Sequence, residues 1–352
     1  FRAIAEQGNN PTFVISSERL LGTTLHYLSD LAQARIALEK SLCKPSLHSP
    51  VRFGLDDRIA ALTQLARVLW LQGFPDCAAR TVALAPREAE ALTHANSLCS
   101  AICSGGCSIA ALRGDLLGTE HLADRLIDCA GEPGLKVWQR FGRAFQYWVA
   151  RQRGYNVSRL EPLDWALNED GEARFLLDHP IFTDYWSDHL ARTSGVHEGL
   201  ALIGRAIENA SSVGCNWCLP ELLRLKGEYR SRHLGPAESS VAETDLISAF
   251  TLAQEHGTRS WELRSATSLA RFWQRRRQEE RALMLLSATF GTFTEGFETT
   301  DLVAAAAVLD ELKKRHVEDL TNTTEGTRVA GRGGEHDQRW PSDRMCPFRA
   351  GN

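Results

Sequence analysis

No stretch of about 18 consecutive apolar residues occurs in the chain, so a membrane-crossing helix is not expected. The start, Phe1-Arg2-Ala3-Ile4-Ala5, has no apolar signal core, no cleavage site and no Met. It reads as mid-helix sequence from a longer protein, and a soluble, cytoplasmic location is expected. Strand signals are scarce too: apolar and polar residues do not alternate over any length, and β-branched residues do not cluster between turn residues. Neither sign of charge dominates, with 40 Lys and Arg against 44 Asp and Glu. That balance lacks the basic footprint of a nucleic-acid binder or of a protein drawn to anionic lipid, so neither partner is expected for this segment.

The chemistry-bearing motifs are missing as well. A phosphate-binding loop needs Gly-x-x-x-x-Gly-Lys followed by Ser or Thr; Gly131-Glu132-Pro133-Gly134-Leu135-Lys136 has the wrong spacing, and Val137 has no hydroxyl for a metal. Cys215-Asn216-Trp217-Cys218 has the spacing of a zinc or redox pair, but no second pair follows it. His197-Glu198 opens like a zinc-protease helix and then lacks the second His one turn on. There is no Gly-x-Ser-x-Gly elbow, and Ser104-Gly105-Gly106-Cys107 reads as a turn between helices. Nine cysteines without a signal peptide point to a reducing compartment, with Cys99, Cys103 and Cys107 expected as small buried hydrophobes on one side of a helix. The basic cluster of Arg271, Arg275, Arg276, Arg277 and Arg281 is read as solvated. Trp70, Trp138, Trp148, Trp186, Trp217, Trp261 and Trp273 are read as core rather than a ligand cage. No catalytic, cofactor-binding or metal-binding residue is assigned, and no cofactor is expected.

What is present is a foldable composition, 43% hydrophobic and 24% charged, with helical periodicity throughout. Apolar residues recur three and four apart through 18–43, 57–85, 88–103, 116–130, 136–152, 197–211, 219–232, 240–255, 260–276 and 279–290. Such short helices with Gly or Pro turns call for a search for repeats. Segment 58–86 resembles a tetratricopeptide unit: Leu65, Ala66 and Leu69, a turn at Gly73, then Ala78, Val82, Ala85 and a terminating Pro86. Weaker copies lie at 17–45 (Gly22, Leu25, Ala34, Leu38, Pro45) and at 262–290 (Leu269, Ala270, Trp273, Ala282, Leu286), the latter with Arg277 where Gly is usual. Gly114 and Gly195 precede further helix-like stretches and Gly227 sits within one, for some five to seven hairpins in all. Segment 233–240, with Gly235 and Pro236, lengthens one turn. Thr300 and Asp301 are expected to cap a last helix with Leu302, Ala305, Leu309 and Leu312 on one face.

The expected fold is all-α: an α-solenoid of tetratricopeptide-like hairpins, with sub-arrays at 1–152 and 182–316, an irregular joint at 153–181, a capping helix and a disordered tail over 321–352. The segments Ser260–Arg271, Phe293-Thr294-Glu295-Gly296-Phe297, Asp301-Leu302 and Glu221–Glu228 resemble the C-terminal tetratricopeptide region of bacterial signalling ATPases of the winged-helix transcriptional-regulator or adenylate-cyclase-regulator kind. The looser part of the resemblance covers 17–130. It implies a non-catalytic interaction and sensor module of an ATPase-type transcriptional regulator. Its concave face would take a protein or peptide partner, or an adjoining switch ATPase domain. The alternative it leaves open is an accessory region of a signalling enzyme such as a nucleotide cyclase.

Overall fold

The computed structural model describes residues 2–8, 10–43, 54–131, 135–155, 180–234 and 236–330, with side chains up to Arg315. All regular structure among them is helical, and many helices pack together. In order these are α1 (Arg2–Gln7), α2 (Pro11–Tyr27), α3 (Leu31–Leu42), α4 (Asp57–Leu71), α5 (Pro75–Val82), α6 (Leu84–Ala91) and α7 (Ala95–Ser100). A π-helical stretch, Ala101–Cys107, then leads to α8 (Ser108–Arg113), α9 (Leu116–Cys129) and α10 (Lys136–Gln152). The remainder are α11 (Pro180–Thr193), α12 (Val196–Ser212), α13 (Leu219–His233), α14 (Ser239–Glu255), α15 (Arg259–Gln274), α16 (Glu279–Phe290) and α17 (Thr300–Ala330). The joint expected at 153–181 lies, but for its ends, outside the described residues.

Consecutive helices pack in pairs, and one local rule builds most of the pairs. Gly22, Ala66, Cys107, Ser187 and Ala270 lie buried on the first helix. Twelve positions later on the second stand Ala34, Ala78, Thr119, Gly199 and Ala282, and sixteen positions later Leu38, Val82, Ala123, Ile203 and Leu286, all buried. Small residues at the crossing let the backbones approach closely, as ridge-in-groove packing requires. Gly227, Ala242 and Leu246 repeat the set with three extra residues, which form the 3₁₀ turn Pro236–Glu238 inside the lengthened 233–240 segment.

The turns repeat as closely as the crossings. Ser29, Gly73, Gly114 and Arg277 each fall seven positions after the small residue and all have positive φ, at 67°, 88°, 77° and 56°. In each turn the next amide reaches back to a carbonyl of the last helical turn: Asp30 to Leu25, Phe74 to Leu69, Asp115 to Ala110 and Gln278 to Trp273. This is the Schellman closure, which satisfies carbonyls that the helix end leaves open. Asp30 and Asp115 then cap the following helix through the amides of Gln33 and Gly118.

Several expectations need correction. Pro86 does not end a helix; it sits in the first turn of α6, where its missing N–H costs nothing. Ser104-Gly105-Gly106-Cys107 is not a turn but belongs to the π-helical stretch. Its glycines are there for packing, since a Cβ on Gly105 would stand 2.7 Å from Val82 Cγ2 and one on Gly106 3.1 Å from Leu122 Cδ1. The helix α11 is absent from the expected set because Thr183, Asp184, Ser187 and Asp188 dilute its periodicity. The last helix runs to Ala330, so 321–330 are helical where a disordered tail is expected, because extending a formed helix needs only one residue per added hydrogen bond. Residues 331–352 lie outside the described residues.

By length and composition, Ala95–Arg113 is long and apolar enough to cross a membrane, but it is mostly buried inside the protein, as a core helix is. The largest core cluster runs from Leu31 to Trp261 and a second from Ala242 to Leu312.

Units distant in sequence also touch, whereas in an open array each unit meets only its neighbours. The Trp70 and Trp261 rings pack edge to face with centroids 4.6 Å apart, and Ser260 Oγ donates to the Trp70 carbonyl. Phe74, the cap residue of α5, makes no side-chain cap bond. Glu295 supplies one from the turn before α17, its Oε1 accepting from the amides of Asp76 and Cys77, both at 2.9 Å. Asp76 returns the contact by accepting from the Gly296 amide at 2.9 Å, and pairs with Arg113 at 2.8 Å. The second half of the chain is thereby fastened to the first, and a groove opens beside the junction.

Candidate functional site

The groove lies where the inner helices α8, α10, α11, α13, α15 and α17 converge. Its inner end is a cavity of about 240 Å³, walled by Trp148, Ile181 and Leu225 and floored by Glu221, Arg224 and Arg264. It continues outward along α13 and α15 past Glu228, Ser268 and Arg271.

Helical spacing places the charges. Glu221, Arg224 and Glu228 share one face of α13, and Arg264, Ser268 and Arg271 one face of α15. Arg224 grips Glu221 with two bonds, Nε to Oε2 at 2.7 Å and a second guanidinium nitrogen to Oε1 at 2.9 Å. It also reaches Glu228 at 2.9 Å and Ser268 Oγ at 3.2 Å. Arg264 bonds Glu221 at 3.0 Å, Asp301 at 2.8 Å and the Leu112 carbonyl at 3.1 Å. Its guanidinium lies 5.4 Å from the Trp70 ring centre and 5.0 Å from that of Trp261. Asp301 is therefore an ion-pair partner rather than the helix cap expected of it.

Burial opposes the charge on every carboxylate here, and the arginines decide which ones overcome it. At Glu221 burial is outweighed by Arg224 and Arg264, and at Glu228 by Arg224 and Ser268, so both carboxyls stay below their usual range. Burial wins at Asp301, whose carboxyl is pushed up despite Arg264. At Asp184 burial raises the pKa to about 6, with Arg224 offsetting it only in part.

The motifs singled out in the sequence lie elsewhere. Cys215 and Cys218 are buried side by side, with sulfurs 4.0 Å apart and Cys218 Sγ donating to the Cys215 carbonyl. Among the described residues no three His, Cys, Asp or Glu side chains gather as a metal site. His197 and Glu198 are exposed on α12. Gly131-Glu132-Pro133-Gly134 falls largely outside the described residues. Cys99, Cys103 and Cys107 are buried, and burial pushes the Cys103 and Cys107 thiols far above the usual range, leaving them protonated and unreactive. Of the tryptophans expected as core, Trp70, Trp148, Trp186, Trp217, Trp261 and Trp273 are buried and Trp138 is half-buried.

The basic cluster is exposed. Arg276 and Arg281 pair with Glu243, and Arg281 stacks 3.8 Å over the Trp273 ring. Arg271 and Arg275 line the outer part of the groove.

Sequence reasoning assigns no groove residue to a site: Trp148 is read as core, Arg271 as solvated and Asp301 as a cap, although Glu221, Arg224, Arg264 and Asp301 all lie within the segments that carry the family resemblance. The usable signal is acid and base on one face of α13, at Glu221, Arg224 and Glu228, with Arg264, Ser268 and Arg271 on one face of α15. No protein-family model matches the chain, and no curated protein matches it significantly.

Proposed function

We propose that the chain is a non-catalytic helical-repeat module of the tetratricopeptide type, serving as the interaction and sensor region of a bacterial ATPase-type transcriptional regulator in the cytoplasm. The observation that carries this reading is the recurrence of one hairpin, with the same crossing offsets and the same left-handed turn at Ser29, Gly73, Gly114 and Arg277. The inner helices of such hairpins form the concave surface on which repeat proteins bind, and here they line the groove.

The function follows from that surface and from the resemblance of 221–228, 260–271, 293–297 and 301–302 to signalling ATPases. An effector or partner in the groove bears on helices from both halves of the chain, so its occupancy biases how they are fastened together and hence an adjoining switch domain. The alternative, service to a nucleotide cyclase, rests on the same resemblance. Reading the coding sequence upstream of Phe1 separates them. A phosphate-binding loop with a winged helix supports the regulator and a cyclase domain supports the enzyme; neither would leave the proposal without its switch.

A further inference from the structure

We propose that the cavity at Asp184 binds a small organic cation, an ammonium group carried on an apolar or aromatic body. The inference rests on the groove being the ligand site of the module and adds the class of ligand.

The argument is one of charge and donors left over. Glu221 is held by Arg224 and Arg264, and Asp301 by Arg264. Those two arginines have their guanidinium nitrogens engaged on carboxylates, Ser268 and the Leu112 carbonyl. An incoming anion would have to displace these bonds. Asp184 projects from α11 into the same cavity, and its carboxylate makes no hydrogen bond or ion pair among the described residues. The charged groups facing it are Arg224, Glu228 and Arg232 of α13 and Asp188 of its own helix, with Glu221, Arg264 and Asp301 lining the cavity beside it. Asp184 is half-buried, and a carboxylate that faces a partly apolar cavity without a partner is poorly compensated, so a cation supplies the partner. The cavity also has an apolar lining, with Trp148, Ile181 and Leu225 all buried, and an aromatic face also favours a cation. A volume of about 240 Å³ fits a small molecule rather than a peptide segment. Because burial holds Asp184 near a pKa of about 6, protons compete with the guest, and affinity falls as pH drops through that value.

Titration calorimetry on the whole chain tests this with three probes of one shape: 2-phenylethylammonium, 2-phenylethanol and phenylacetate. At pH 7.5 the ammonium is expected to bind saturably, the alcohol about tenfold more weakly and the carboxylate not at all. Asp184→Asn should lower ammonium affinity roughly tenfold or more and leave the alcohol unchanged. Asp184→Glu should retain part of the preference, and circular dichroism should show both variants folded. Phenylacetate binding as tightly as the ammonium, an Asp184→Asn affinity equal to wild type, or no saturable binding by any probe would overturn the assignment. Saturable phenylacetate binding lost in Arg271→Glu would remove the cation class while keeping the groove as a ligand site.

Discussion

Gly22 and Leu38 face each other so closely that a Cβ built on the glycine would stand 2.6 Å from the leucine Cγ. The same relationship recurs between Gly227 and Leu246, at 2.8 Å, which makes the close crossing a property of the hairpin rather than of one site. Gly22→Ala should therefore destabilise the protein by roughly 1–3 kcal/mol, the usual cost of overpacking. Gly204, in the middle of α12 with nothing within 4 Å, provides the contrast: Gly204→Ala should stabilise by about 0.5–1 kcal/mol. Urea unfolding of the two variants measures both, and equal effects would contradict the crossing argument.

Arg277 takes a left-handed conformation at φ 56° that glycine adopts freely. Arg277→Gly should stabilise by about 1 kcal/mol, and Gly73→Ala, at φ 88° and against Arg259 Cβ at 3.2 Å, should destabilise by at least as much. Thermal denaturation reads both signs.

Arg264 holds Glu221, Asp301 and the Leu112 carbonyl at once. Arg264→Met leaves those acceptors without it and should cost roughly 3 kcal/mol. Arg264→Lys should recover little, because a point charge cannot reproduce the fork or the stacking on Trp70 and Trp261. Chemical denaturation of the two variants would refute this if lysine restored wild-type stability.

The folded-state pKa of Asp184, about 6, lies above its ordinary value of 3.8, so the native state binds the proton more tightly. Its contribution therefore opposes folding above pH 6 and is relieved as pH falls from about 6 towards 4. Asp184→Asn should raise the melting temperature at pH 7.5 by roughly 2–4 °C, the equivalent of about 1 kcal/mol. The difference should shrink at pH 5. A constant difference across that range would show that the carboxyl does not titrate as described.

The hairpins were legible where period and punctuation agreed. Ala66, Gly73 and Ala78 announce α4 and α5, and Leu302, Ala305, Leu309 and Leu312 are all buried on α17 as their spacing predicts. The misses have local causes. Gly105 and Gly106 look like turn residues, yet they serve close contact inside a helix, a choice that depends on Val82 and Leu122 rather than on neighbours in sequence. Asp301 looks like a cap, but its ion pair is with Arg264 on another helix. The groove was illegible for the same reason: α8, α11, α13, α15 and α17 meet through contacts between residues far apart in sequence, among them Glu295 with Asp76, Trp261 with Trp70 and Arg264 with Leu112.

ATP hydrolysis by the complete gene product tests most directly whether the groove acts as a sensor coupled to a switch. Compared with wild type, Asp184→Asn and Arg271→Glu, confirmed as folded, should change the basal rate about fivefold or more, the lower end of ordinary coupling between sites. Identical rates in all three proteins, or no nucleotide hydrolysis at all, would contradict the account.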